Sequence, residues 1–320
     1  MAEPGVYVHA AAALGPTGDT TAAERMRLDA DPPPRELRDL VRRIVGVSLR
    51  QASHLVELAS VASQLCLKRL PVAAPEDTAV YLGTGLAEVR RTSALFQQVM
   101  PPGPGMASPF DFINAANNMA AFYVARLGNF RARNLTVTQE EFSFEWALRL
   151  AIEDLRAGCS RSALVGGVDE NSQPRADHLR RIALRADQVL GEGAGFLFLS
   201  REREGARAEL LGVRHQASGN AEVALAGALA AWRRADEPVT VLPGFRLRRD
   251  DAAALAAQPG VALRPYLDQC GGFHTAAAFG LAAELDPLGS PAELVIHINR
   301  NAADQLMLVG MRHMIDGRPR

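Results

Sequence analysis

The chain has 320 residues, 48% of them hydrophobic and 22% charged, which is enough apolar material for a sizeable core and unlike a disordered or fibrous chain. A formal net charge of −1 argues against a duplex-binding protein, and no nucleic-acid partner is expected. Three widely spaced cysteines, Cys66, Cys159 and Cys270, support neither a zinc ribbon nor a disulfide framework and suit a reducing cytosol.

Val6–Leu14 (VYVHAAAAL) reads as a short buried strand that ends at the turn residues Gly15-Pro16-Thr17-Gly18. Residues 19–34 are polar and Pro-rich, a loop. The start, Met1-Ala2-Glu3-Pro4, has no basic segment before an apolar one, and no apolar run reaches the length of a membrane span. A cytoplasmic protein without a membrane span is therefore expected. From Glu36 to Leu70 apolar residues recur at helical spacing, as one or two amphipathic helices. Lys68, the only Lys in the chain, lies here with neither a Schiff-base nor a P-loop context.

Asp77–Leu82 reads as a second strand, followed by Gly83-Thr84-Gly85. Residues 100–110 read as a loop and Asn114–Leu127 as a helix. Leu135–Thr138 is a short strand running into a helix over Phe142–Arg156, and Ala163–Val168 is a buried strand. Gly191-Glu192-Gly193-Ala194-Gly195 precedes a strand over Phe196–Leu199, and 201–207 is a charged surface turn. Helices are then expected over Ala221–Trp232, Asp250–Ala257 and Thr275–Leu285, with strands over Val239–Leu242, Ala292–Ile298 and Leu306–Val309. Strands alternating with helices indicate α/β layers. Neither Gly83-Thr84-Gly85 nor Gly191–Gly195 opens a helix with a dinucleotide fingerprint, so no cofactor is expected.

The stretch Asn134–Glu170 (NLTVTQEEFSFEWALRLAIEDLRAGCSRSALVGGVDE) resembles the nucleophile region of β-ketoacyl synthases of the thiolase superfamily. In that family a Cys sits on a sharp turn after a strand, a buried helix follows, and a later strand ends in Gly-Gly-Val. Leu155-Arg156-Ala157-Gly158 and Ala163–Val168 match the helix end and that strand, and counting back places Glu141 at the Cys. Val6–Gly18 resembles the family's first strand and turn, and Val80–Gly85 the Gly-x-Gly after its second strand. Gly191–Leu199 is similar to the family's GEGAG strand. Gly271–Ala278 (GGFHTAAA) is similar to the segment carrying the second catalytic His, here His274.

The resemblance implies a five-layer α-β-α-β-α fold of two related halves, residues 1–205 and a shortened 206–320, packed as one unit. It also implies a dimer formed through the strand before the turn, Asn134–Thr138.

Condensation needs a thiolate activated at a helix N-terminus, donors for the malonyl carbonyl, and an oxyanion hole. Here Glu141 replaces the thiol. Leu242–Arg246 stands at the family's first His without a His, and Gln269 stands at its Lys. Asn299–Asp304 replaces its Gly-rich oxyanion loop, and only His274 survives. The pattern resembles the chain-length-factor class of type II polyketide and aryl-polyene systems, which lacks the Cys and pairs with an active ketosynthase. An active ketosynthase subunit and an acyl carrier protein are the partners this implies, in polyketide, aryl-polyene or fatty-acid-type elongation. The alternative is an enzyme, a malonyl-carrier-protein decarboxylase using His274 with Glu141 in place of the Cys; a third is a homodimeric ligand-binding relative.

Each residue also has a plainer reading. Glu141 is either a functional carboxylate or a helix-capping acid; Glu140 points elsewhere, and Glu145 shares the Glu141 face at i+4. His274 either binds a thioester carbonyl or is a core His. Ser143 lacks a nucleophile-elbow context. Phe142, Phe144 and Trp146 either gate an acyl channel or pack the core. Arg246-Leu247-Arg248-Arg249 and Arg131-Ala132-Arg133 either meet an acidic carrier protein or are solvated. His9, His54, His178, His215, His297 and His313 show no metal-ligand spacing.

Overall fold

The computed structural model describes residues 4–17, 27–49, 52–101, 105–171, 175–182, 184–185, 187–217, 219–285, 294–315 and 318–319. In chain order the elements are β1 (Val6–Leu14), α1 (Arg38–Leu40) continued by a π-turn over Val41–Val45, α2 (His54–Lys68), β2 (Ala79–Gly83) and α3 (Val89–Val99). Next come α4 (Pro109–Asn114), α5 (Met119–Gly128), β3 (Asn134–Val137), a 3₁₀ turn over Glu140–Phe142, α6 (Ser143–Ala157), β4 (Ser162–Asp169), α7 (Arg175–Ile182) and β5 (Gly193–Ser200). The remainder is β6 (Ala208–Gln216), α8 (Ala221–Trp232), β7 (Val239–Pro243), α9 (Arg249–Ala256), β8 (Val261–Leu263), α10 (Leu267–Cys270), α11 (Ala276–Glu284), β9 (Leu294–Arg300), β10 (Leu306–Ile315) and β11 (Arg318–Pro319).

Ten strands line up as β3-β2-β4-β5-β1-β6-β10-β9-β7-β8. The first five run parallel from β3 through β2 to β4 and antiparallel from β4 through β5 to β1. The last five repeat this: β8, β7 and β9 are parallel, and β9, β10 and β6 antiparallel. Two halves of one topology thus meet where β1 pairs with β6 over only three positions, Val6 to Val8.

Three apolar clusters define the layers. The central one joins α6 and α11 to strands of both halves, among them Tyr81, Phe144, Leu197, Val295 and Met311. The second packs α2 and α5 on the outer face of the first half, and the third packs α8 on the outer face of the second. The order helix, sheet, helix, sheet, helix is the five-layer arrangement of the thiolase type. Strands covered on both faces lose their polar alternation, and β4 and β5 are buried throughout.

Local signals explain most boundaries. Ser53 caps α2 by accepting from Val56 N, and Asn220 caps α8 the same way through Val223 N. Gly158, at φ +75°, closes α6. The single helix expected over Asn114–Leu127 is two: Ser108-Pro109 starts α4 inside the expected loop, and α5 begins only after residue 118. The chain from 36 to 70 breaks at left-handed Gly46 and restarts at Ser53. Strand β6 was missed because exposed polar residues break its pattern, and helix α3 because its apolar stripe, Val89, Phe96 and Val99, faces no core; α3 buries no residue. Gly18 and Ala292, placed in a turn and a strand from sequence, lie outside the described residues.

Candidate functional site

The site begins at the turn between β3 and α6. Glu140 takes a positive φ of 46° and stays exposed, while Glu141 beside it is 2% exposed. Ser143 pins this turn: its Oγ accepts from Gln139 N at 2.8 Å and donates to Glu140 O at 2.7 Å. That hydroxyl is consumed by backbone geometry rather than free to act as a nucleophile. Gly83 is required here, because a Cβ on it would come within 2.5 Å of Phe144 N.

Glu141 is held from the second half of the molecule. Arg246, on the loop after β7, donates from Nη1 to Glu141 Oε1 at 2.8 Å. Asn299, on β9, donates from Nδ2 to both Glu141 O at 2.8 Å and Glu145 Oε1 at 2.9 Å. Glu145, one helical turn after Glu141, is fully buried, and its Oε2 has no partner among the described residues. Burial pushes its carboxyl up to about 8, the Glu141 charge adding and the Asn299 hydrogen bond opposing. Behind it lies buried His297, whose Nδ1 is 4.0 Å from Glu145 Oε1 and whose Nε2 contacts Tyr266 OH at 2.9 Å. Burial drives His297 down to about 3, so a neutral imidazole faces a neutral carboxylic acid. An ion pair with a buried carboxylate and a partly exposed guanidinium therefore stands at the turn, backed by a mostly uncharged polar chain.

His274 sits just before α11, as Glu141 sits just before α6; the two occupy corresponding places in the repeated halves. It is 2% exposed, and its Nδ1 has no partner among the described residues. Its ring meets Phe245 edge-on at 6.0 Å, and any side chain on Gly85 would overlap it. Asp169, at the end of β4, ties the surroundings together. Its Oδ2 accepts from Thr275 N and Oγ1, and its Oδ1 from Thr84 Oγ1, Gly85 N and Leu86 N. The loop after β7 joins the two centres, since Phe245 touches His274 and Arg246 touches Glu141.

The other residues singled out from sequence are placed as follows. Phe144 is wholly buried in the central core. Phe142 is buried with its ring 6.4 Å from His215, and Trp146 packs 5.9 Å from the same ring and under the Arg149 guanidinium. Gln269, on α10, is half-buried with its carbonyl facing Gly15. Arg246 corrects its surface reading: it turns inward to Glu141. Arg248 and Arg249 remain exposed, paired with Asp304 and Asp187. Arg131 pairs with Glu76, and Arg133 with Asp154.

Sequence reasoning missed the roles of Asn299, Asp169 and Arg246, which are set by distant strands. The signal that was available is Asn299-Arg300-Asn301 standing where a Gly-rich loop was expected. Among the described residues there is no group of three metal-ligating side chains and no helix long and apolar enough to cross a membrane.

The family model for "Beta-ketoacyl synthase, N-terminal domain" matches residues 33–205, more than half of the chain. Among curated proteins none matches in sequence. Among solved structures, the ishigamide ketosynthase/chain length factor superposes with a TM-score of 0.75 at 20% identity, covering 97% of this chain and 100% of that one. A type II PKS acyl-carrier protein in complex with its ketosynthase bound to the hexaketide (AntDE:AntF) gives 0.72 at 14% identity over 98% and 100%. A β-ketoacyl synthase from Burkholderia phymatum STM815 gives 0.71 at 16% over 98% and 100%. At these identities the likeness establishes the fold.

Proposed function

The chain belongs to the β-ketoacyl synthase family, and on that footing we propose that it is a non-condensing, chain-length-factor-like subunit that pairs with an active ketosynthase. The observation that carries this reading is Glu141. What supports it is a buried carboxylate, ion-paired to Arg246, at the position that counting back from Leu155-Arg156-Ala157-Gly158 gives to the family's thiol. A carboxylate there is a poor acyl carrier, since the acyl product would be a reactive anhydride. The partner would contribute the Cys; this chain would contribute channel wall and dimer surface, with Phe142 and Phe144 nearest the turn. An acyl carrier protein would deliver the chain in polyketide, aryl-polyene or fatty-acid-type elongation in the cytoplasm.

Two surface features support pairing. Strand β3 is an edge strand: β2 pairs with one side, and no described strand pairs with the other. In addition, four of the chain's 12 phenylalanines, Phe96, Phe110, Phe112 and Phe122, are exposed on α3, α4 and α5, with Leu135 on β3. Apolar side chains left in water over one stretch of chain fit a surface covered by a partner.

Tagged chain co-expressed with the ketosynthase from its own genome tests the proposal. A 1:1 complex whose elongation needs both chains and survives Glu141→Ala is the expected result. A chain that stays homodimeric, without affinity for any ketosynthase, overturns it. The second reading, a malonyl-carrier-protein decarboxylase, is favoured by one observation, the buried His274 with an unpartnered Nδ1. It requires that His274→Ala abolish carbon dioxide release by the isolated chain.

A further inference from the structure

Away from the Glu141 and His274 centres, the N-terminal turns of α2 and α3 converge on a cavity of about 360 Å³ lined by Ser53, His54, Arg90, Arg91, Ala94 and Glu170. Glu170 follows β4, is 3% exposed, and has no hydrogen bond to either carboxylate oxygen among the described residues. Arg90 Nη1 lies 3.6 Å from its Oε2, too far for a hydrogen bond. Glu88, fully buried at the start of α3, accepts from Ser53 Oγ at 2.6 Å through one oxygen and has no partner for the other. Glu192 is different: Arg35 N, His54 Nε2 and Asn171 N all reach it.

The charges facing Glu170 are Glu88 and Arg90 from α3, His54 from α2 and Glu192 ahead of β5. Nearby, Asp169 is saturated by its donors, His178 of α7 is neutral through burial, and Arg91 pairs with Asp111 of α4. Two neighbouring buried carboxyls with one loosely held guanidinium favour retaining a proton between them. Burial pushes both Glu88 and Glu170 up to about 7. Burial also works against the His54 charge, yet the hydrogen bond and charge of Glu192 hold it above its ordinary value. The cavity therefore presents a guanidinium with no hydrogen-bonded partner among the described residues, a histidine whose charge is favoured by Glu192, two helix N-termini and a carboxyl ready to carry a proton.

We propose that this cavity binds a small oxyanion, a carboxylate or a tetrahedral phosphate-like group, together with one proton. The anion takes hydrogen bonds from Arg90 and the N-terminal turn of α3, and protonated Glu170 donates to it. The proton comes from solvent and resides on Glu170, and no covalent bond changes. Binding separates Glu170 from Arg90 and gives both a full hydrogen bond.

Titration calorimetry of the full chain with sulfate and, separately, acetate tests this. Neither probe changes its own protonation near neutrality, and the tighter arm identifies the preferred geometry. Running each arm at about pH 7.5 in two buffers of different ionisation enthalpy counts the proton. The expected result is binding accompanied by proton uptake. Arg90→Ala should weaken it roughly tenfold or more, and Arg90→Lys serves if that variant does not fold. Glu170→Gln, whose amide still donates, should keep the affinity within roughly threefold and lose the uptake. No binding of either anion up to roughly millimolar concentration, binding without proton uptake, or binding indifferent to Arg90 would each overturn the proposal.

Discussion

Arg246 Nη1 lies 2.8 Å from Glu141 Oε1, joining a cation from the second half of the molecule to an anion at the first half's turn. Only 3% of the Glu141 side chain and 22% of the Arg246 side chain reach solvent. The pair is therefore unequal: Glu141 depends on Arg246, whereas Arg246 can turn towards water. Arg246→Ala should cost about 3–5 kcal/mol, because it leaves a buried carboxylate uncompensated. Glu141→Ala should cost less, about 1 kcal/mol, and the double variant should be more stable than Arg246→Ala alone. Urea unfolding of the three proteins checks this, and equal losses for the two single variants would mean that the pair is not what holds the turn.

The same geometry predicts the behaviour of a thiol introduced at position 141. In Glu141→Cys the sulfur stands near the Arg246 guanidinium at the N-terminus of α6, and both favour thiolate. Its pKa should fall below the ordinary value of about 8.5, and removing Arg246 as well should raise it again. The measurement is the pH dependence of iodoacetamide alkylation, made in a Cys159→Ser background because Cys159 is exposed. If Leu242–Arg246 stands at the family's first His, as the resemblance implies, Glu141→Cys should confer no condensing activity, since that segment holds no His.

The fold was legible in the sequence wherever an element carries its own signal. Val6–Leu14 is an apolar run between Gly5 and Gly15, Gly193–Ser200 is one that starts from a Gly-rich segment and ends at a charged turn, and α6 has a clear apolar face closed by Gly158. The placement of Glu141 rested on spacing within one such unit. What escaped was set by contacts far apart in sequence. Asn299 reaches Glu141 and Glu145 across more than 150 residues, and Asp169 gathers donors from two loops. Arg246 looked like part of a basic surface because a string of arginines does not reveal which one turns inward. Helix α3 carries an apolar stripe at helical spacing, Val89, Phe96 and Val99, yet buries none of it, so the stripe pointed to no core.

That absent buried face leads to a prediction about assembly. If the α4 and β3 surface pairs with a partner, Phe112→Glu combined with Ile113→Glu should abolish pairing while leaving the fold intact, since both residues are exposed. Light scattering after size exclusion should show a monomer with an unchanged circular dichroism spectrum. A variant that still pairs normally would place the partner elsewhere.

Glu145 offers a test in which the sign can be worked out beforehand. Its folded-state pKa is raised to about 8 from the ordinary 4.5, mainly by burial. Between those values the folded chain holds a proton that the unfolded chain has released. Stability from this group is therefore full below the unfolded pKa and falls by up to about 1.4 kcal/mol per unit as pH rises towards the folded one. His297 acts in the opposite direction: burial lowers it to about 3, and it destabilises the fold as pH falls below the ordinary 6.5. Glu145→Gln removes the first contribution and leaves the second. The amide oxygen still accepts from Asn299, and the volume hardly changes. The variant and the parent should therefore melt alike near pH 5, and the variant should be the more stable at pH 8, with the gap widening steadily between. Thermal melts across that range decide the matter. A gap that stays constant with pH would mean that Glu145 is ionised in the folded chain, and that the polar chain behind Glu141 carries a second buried charge.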